Sequence, residues 1–167
     1  IQARINSSRY PKKIFKKIGK YVVLDLIKKR LDKSKFNKNI IFLIPKNDNN
    51  LPLKNFLLKR NYRFFMGSER NVLNRFYNAS DFFKSKNIVR ITSDCPFIDY
   101  KLLDNMIKKY FMGKYDYLSN IYPKRSFPNG LDIEIFNHKA LSFAKLKAKK
   151  KYDIEHVAPY ILKNKKF

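Results

Sequence analysis

Cysteine occurs once in this 167-residue sequence, at Cys95, and histidine only twice. A lone thiol cannot close an internal disulfide and fits a reducing cytosol. With so few candidate ligands, a four-ligand Cys/His zinc site is excluded. Glycine is scarce, with 4 residues, and tryptophan is missing; the chain carries neither a Walker A loop nor a GxGxxG. Long apolar runs are also missing. The longest clean one covers residues 40–44, far short of the roughly 20 residues that span a bilayer. The N-terminal residues lack the apolar h-region of a secretory signal peptide. These absences lead to the expectation of a cytoplasmic protein without membrane insertion.

Acidic residues are the other shortage: 13 Asp plus Glu stand against 38 Lys plus Arg, a formal net charge of +25. At 44% hydrophobic and 16% aromatic the chain is nonetheless too apolar for a disordered basic tail. Its length suits one domain with a real core. A cationic surface attracts polyphosphates, which opens the possibility of a non-enzymatic, nucleic-acid-binding module. The composition argues for a plainer origin. Lysines number 29 and arginines 9, with 17 each of asparagine and isoleucine; these are largely residues of A/T-rich codons, which base bias alone enriches. Arginine, the residue favoured for base and phosphate forks, is the scarcer cation. No RRM, KH or helix-turn-helix signature is present, so specific nucleic-acid binding is not expected.

Hydrophobic periodicity predicts alternating helices and strands. Residues 21–33 carry a helical stripe of Val22, Val23, Leu26, Ile27 and Leu31. Residues 39–44 read as a buried parallel strand, followed by a polar loop at 47–50. A helix over 51–60 and a strand over 62–65 come next. The helix over 69–84 is expected to start from Ser68 as its N-cap. A strand over 88–92 leads to a helix capped by Asp99 and ended by Gly113, with Leu102, Leu103, Met106, Ile107 and Tyr110 on its core face. Strands over 115–119 and 131–136 precede helices over 139–149 and 153–162. The pattern predicts a three-layer αβα sandwich on a mostly parallel sheet, Rossmann-like in class. Ligands of such sheets bind beyond the carboxyl ends of the strands, here after Ala3, Ile44, Thr92, and Phe136 or Ser119.

Four segments at such positions carry chemistry. Residues 2–13 put Arg4, Arg9 and Lys13 around Ser7 and Ser8 in one irregular loop, which suits a triphosphate; a basic surface loop is the plain alternative. In residues 90–99, Asp94 follows a buried strand, where an aspartate holds Mg²⁺ against nucleotide phosphates or simply caps a turn. Cys95 reads as a buried thiol before a turn proline, with no histidine expected beside it. Asp132 and Glu134, two apart on an expected strand, face the same way; they suit a metal, a substrate hydroxyl or the solvent face of an edge strand. Glu155 and His156 open the last helix, where acids favour the helix dipole and His156 is a candidate for a substrate carboxylate or phosphate.

Six stretches in order, QARINSSRYPKK, GSERNVLNRFY, IVRITSDCPFID, YDYLSN, FPNGLDIEIF and EHVAPYI, resemble the cytidylyltransferases that activate acidic sugars. The nearest branch is that of spore coat polysaccharide biosynthesis protein F, with the CMP-acylneuraminate and CMP-3-deoxy-manno-octulosonate synthetases as relatives. The resemblance implies a nucleotide-diphospho-sugar-transferase-like fold. It also implies transfer of CMP from CTP to a sugar, with Mg²⁺ as cofactor and pyrophosphate released, for surface polysaccharide synthesis. Arg4, Ser7, Arg9 and Lys13 match residues that grip the triphosphate, with Arg4, Lys13 and Asp94 as the catalytic set. Gly67, Ser68 and Thr92 match the cytidine side, Asp94 the metal ligand, and Asn120, Asp132, Glu134, Glu155 and His156 the sugar side. Asn6, Lys12 and Ser93 stand where the family has glycine, and Ile154 where the branch has a basic residue. The resemblance further implies a single nucleotidyltransferase domain over residues 1–167 that is truncated at both ends, and it is compatible with a homodimer. A glycosyltransferase of the same fold, consuming a sugar nucleotide, is the alternative enzyme.

Overall fold

Phe42, Leu43 and Ile44 are all buried, yet they serve two different cores. They lie on β3 (Phe42–Pro45), whose side chains alternate between the two faces of a sheet. Phe42 and Ile44 join the core built by α1 (Val23–Leu31), α2 (Leu51–Lys59) and α4 (Tyr100–Met112). Leu43 joins the opposite core, with α3 (Val72–Phe82), α5 (His138–Lys147) and α7 (Ala158–Lys163). This computed structural model describes residues 1–6 and 10–164. It is the three-layer αβα sandwich that the periodicity predicts.

The sheet is joined at its centre by residues 1–3. Their backbone bonds β3 on one side (Leu43 N–H to Ile1 O, 2.7 Å; Ala3 N–H to Leu43 O, 3.1 Å). On the other side Gln2 N–H donates to Ile91 O at 2.8 Å and Ser93 N–H to Gln2 O at 2.9 Å. Both bridges are parallel. β4 (Phe64–Gly67) pairs parallel with β3, in the register Phe42↔Phe64 through Pro45↔Gly67. β5 (Asn87–Arg90) continues toward the Thr92 bridge, and β7 (Glu134–Asn137) lies antiparallel between β5 and β6 (Tyr117–Ser119). The spatial order is therefore β4, β3, residues 1–3, β5, β7, β6. The chain order reverses between residues 1–3 and β5, so the ligand crevice of this sheet opens after Ala3 and after Thr92.

Several expected boundaries shift. The helix over 69–84 spans 72–82, and its N-cap is Asn71, whose side chain accepts from Asn74 N–H at 2.8 Å. Ser68 instead accepts from Asn71 N–H at 3.0 Å, one turn too early to cap. Asp99 caps α4 as expected, accepting from Leu102 N–H at 2.8 Å. The helix over 153–162 is two, α6 (Lys151–His156) and α7, broken at Val157 with φ 70° and ψ −63°. That is the strained γ-turn conformation, unusual for a β-branched residue. Gly113 ends α4 at an ordinary φ of −84°; its missing Cβ matters because the Tyr115 ring packs where that atom would stand. Because β7 runs against its neighbours, the segment after Phe136 leaves at the wrong edge. The other expected exit, after Ser119 into the loop between β6 and β7, lies at the ligand edge. A two-stranded hairpin, β1 (Lys17–Ile18) with β2 (Tyr21–Val22), was not anticipated. No helix among the described residues is long and apolar enough to cross a membrane.

Candidate functional site

At the crevice two distant loops meet. Lys13 Nζ donates to Asp94 Oδ2 at 3.0 Å, across 81 positions of sequence. Lys13 opens a short 3-10 turn, Lys13–Phe15, whose Ile14 is fully buried in the first core. That anchor holds the adjacent Lys13 at the rim. Lys12, which stands where the resemblance places glycine, has φ 55° and ψ 19°. This is the left-handed region, where a Cβ is costly and glycine is not. Lys12 N–H donates to Ile5 O at 3.3 Å, tying the two arms of the first loop.

Asp94 is further held by Thr92, whose hydroxyl donates to Oδ1 at 2.5 Å. Burial by itself raises the Asp94 carboxyl, but the Thr92 hydroxyl and the Lys13 ammonium outweigh it and hold the group below its ordinary value. The carboxylate is 45% exposed and so reachable from solvent. Cys95 beside it is buried, and burial pushes its thiol up. A protonated thiol is a poor nucleophile, in line with the structural role expected for Cys95. Arg4 is exposed on the first loop; Ser7 and Arg9, the other phosphate candidates, lie outside the described residues.

Asparagines tie these loops together. Asn50, fully buried, accepts from Ile5 N–H at 3.0 Å and donates through Nδ2 to Asn47 Oδ1 at 2.6 Å. Asn47 Nδ2 in turn donates to Glu69 Oε2 at 2.6 Å. The relay links the loops after residues 1–3, β3 and β4, and so couples the first loop to the turn that carries Gly67 and Ser68. The sequence showed 47–50 only as a polar loop. Arg75 was also missed, although it sits with Val72, Phe76 and Ala79 on the 3-4 spacing of the buried stripe of α3. A charge within an apolar stripe was the available signal.

The remaining candidates are used differently. Asn120 is buried and spends its amide on backbone, donating to Leu131 O at 2.7 Å and accepting from Ile133 N–H at 2.9 Å. Asp132 and Glu134 do not share a strand face, because β7 begins only at Glu134. Glu134 is buried, ion-paired with Arg90 and accepting the Tyr117 hydroxyl at 3.0 Å. Asp132 pairs with Arg125 at 2.5 Å in the loop before β7. That pair lies close enough to Cys95 for Asp132 to influence its thiol. His156 is exposed, its ring 4.5 Å from that of Tyr152, and Glu155 is half-buried beside it.

Among the described residues no three His, Cys, Asp or Glu side chains gather into a metal cluster. Asp94 nevertheless fits the chemistry of Mg²⁺, which takes one or two carboxylates and completes its shell with substrate phosphates and water. An exposed carboxylate, its value held low, beside a loop that suits phosphates has that chemistry.

A mostly parallel sheet with its crevice at the switch point, where an ionised aspartate meets a lysine, gives the class: a nucleotide-handling α/β protein. Comparison with known proteins makes this specific. The family model described as cytidylyltransferase matches residues 1–167, and the chain belongs to that family. It is 40% identical over 167 residues to an uncharacterised protein, MJ1063, of Methanocaldococcus jannaschii, covering 98% of this chain and 66% of that protein. It is 32% identical over 168 residues to the spore coat polysaccharide biosynthesis protein SpsF of Bacillus subtilis, covering 96% of this chain and 68% of SpsF. The solved structure of a cytidylyltransferase from Leptospira borgpetersenii superposes with a TM-score of 0.92 at 32% identity, over 99% of this chain and 70% of that one. CMP:2-keto-3-deoxy-manno-octonic acid synthetase complexed with CTP shares the fold at a TM-score of 0.69 and 12% identity, over 96% of this chain and 82% of that one. The chain thus spans about two thirds of the length of the two sequence relatives.

Proposed function

We propose that this chain transfers CMP from CTP to a sugar hydroxyl, releasing pyrophosphate, in the synthesis of a surface polysaccharide. An acidic sugar is the proposed acceptor. The observation that carries this reading is the Lys13–Asp94 contact at the switch point, which joins a basic loop to an ionised carboxylate. The relationship to SpsF and the fold shared with a CTP-bound synthetase support it.

In this reading the sugar oxygen forms a bond to the α-phosphorus while the bond from that phosphorus to the bridging oxygen of pyrophosphate breaks. The hydroxyl proton passes to solvent. Arg4 and Lys13, with Ser7 and Arg9 of the same loop, hold the triphosphate and neutralise the charge that builds on the leaving group. Gly67, Ser68 and Thr92 flank the cytidine. Asp94 would hold Mg²⁺, which when bound supplies further positive charge to the phosphates. Without nucleotide, Lys13 pairs with Asp94; with nucleotide, Lys13 would turn to the phosphates and leave the Asp94 carboxylate free for the metal. On the acceptor side, Asn120 shapes the 120–133 loop and Glu134 holds β7 to β5 and β6, while Asp132, paired with Arg125, and Glu155 and His156 would face the sugar. The chain's own work is alignment and charge, not covalent chemistry.

The test is pyrophosphate release with CTP, UTP, ATP and GTP across a panel of sugar acids and neutral sugars. The reading expects release with CTP and a sugar acid. Binding of an intact UDP- or GDP-sugar, with no release from any triphosphate, would favour a glycosyltransferase and overturn it.

A further inference from the structure

Arg75 is the one buried arginine of α3, 1% exposed, and among the described residues no carboxylate forms an ion pair with it. Its Nη1 donates to the carbonyl of Ser68 at 3.1 Å, while its Nε finds no partner. A buried guanidinium normally costs too much to leave unpaired. Its surroundings make matters worse: Arg4 and Arg90 both act on it as like charges, and Glu69 is the one acid that favours it. Glu69 already accepts from Asn47, and Arg90 is itself paired with Glu134. Burial, with Arg4 next, brings Arg75 down to about 10, so it remains charged at neutral pH. The fold makes room for it deliberately. A Cβ at Gly67 would stand 2.8 Å from Arg75 Cγ, so the glycine at the end of β4 is what lets the arginine stem lie there.

We infer that Arg75 is a positioning residue for the phosphates of the nucleotide. Its charge, without an ion pair of its own, lies against the Gly67–Ser68 turn and within the field of Arg4, and awaits an anion on that side. This rests on the CTP reading above. A bound polyphosphate would supply the negative charge that the free protein withholds from Arg75, so the standing repulsion among Arg4, Arg75 and Arg90 becomes attraction for the ligand. Arg75 acts through its field; it need not touch the substrate.

The test is calorimetric binding of CTP, inorganic pyrophosphate and cytidine to the wild type, Arg75→Met and Arg75→Lys. Arg75→Met is expected to weaken CTP and pyrophosphate by ~10-fold or more, the scale of a charge-assisted contact. Cytidine, which carries no phosphate, should bind both proteins within about 2-fold, since the field term is missing. Arg75→Lys keeps the charge but not the fork, and should hold CTP within about 3-fold of wild type. Should Arg75→Met not fold, Arg75→Gln against Arg75→Lys makes the same comparison. Unchanged CTP affinity in the neutral variant would overturn the inference. So would an equal loss for cytidine, or an equal loss in the lysine variant, because each marks a structural prop of the turn. A wild type that binds neither CTP nor pyrophosphate would overturn the CTP reading itself, a result distinct from any of these.

Discussion

The two halves of the crevice are built by different means. On the side of the first loop, polar side chains reach between segments far apart in sequence: Lys13 to Asp94, Asn50 to Ile5, Asn47 to Glu69. On the side of β6 and β7, polar groups are spent on the scaffold: Asn120 on residues 131–133 and Asp132 on Arg125 within one loop, and Glu134 on Arg90 and Tyr117 of the adjoining strands. The first arrangement assembles a charged surface that waits for a ligand. The second fixes the shape of a loop. Substitution of the exposed pair Lys13 and Asp94 should therefore fail in chemistry, and substitution of the buried Asn50 and Glu134 in stability.

The largest expected effect tests the shaping side. Glu134→Leu leaves the buried Arg90 guanidinium without its carboxylate, and urea unfolding should show a loss of about 3–5 kcal/mol. Retained stability in that variant would break the contrast. Next, Lys13→Ala and Asp94→Ala should each lower the rate of pyrophosphate release ~100- to 1,000-fold, about 2.7–4 kcal/mol of barrier, with circular dichroism unchanged. The Lys13–Asp94 pair also has a pH signature. Because the folded Asp94 lies below its ordinary value, its contribution is fully present above the unfolded value and is lost as pH falls through the depressed one. Asp94→Asn should abolish that part of the acid-induced fall in melting temperature. Asn50→Ala leaves Ile5 N–H without its acceptor in the interior, for an expected loss of about 1–3 kcal/mol; first-loop hydrogen exchange should speed up in step. The smallest effect is a gain. Lys12→Gly removes left-handed strain from an exposed residue and should stabilise by ~1 kcal/mol at most, read as a small rise in melting temperature.

Much of this was legible where local rules decide. Asp99 capped its helix because a side-chain oxygen three residues before an amide is a local fact, and Leu103, Met106, Ile107 and Tyr110 formed its buried stripe. The strand exits put the loops of Lys13 and Asp94 at one edge of the sheet, and the contact between the two side chains came from the structure. What escaped depends on tertiary contact. Ser68 looked like a cap, but the true cap, Asn71, depends on where the chain leaves β4. The break at Val157 has no glycine or proline at its strained residue, although Pro159 follows it. Nothing in the Asn47–Asn50 segment says that its amides will bridge three loops. The reversal of β7 cannot be read from alternation, which is the same for either direction, so alternation left the exit open between Phe136 and Ser119, and the strand pairing selects Ser119.

The central claim is that the assembled side is a CTP site, and a melting curve tests it most directly, because a ligand that binds the fold raises its transition. With Mg²⁺ present, CTP should raise the melting temperature well above the shifts from UTP, ATP and GTP at equal concentration, and Asp94→Ala should reduce that rise. Equal shifts from all four triphosphates, or a rise that persists unchanged in Asp94→Ala, would contradict it.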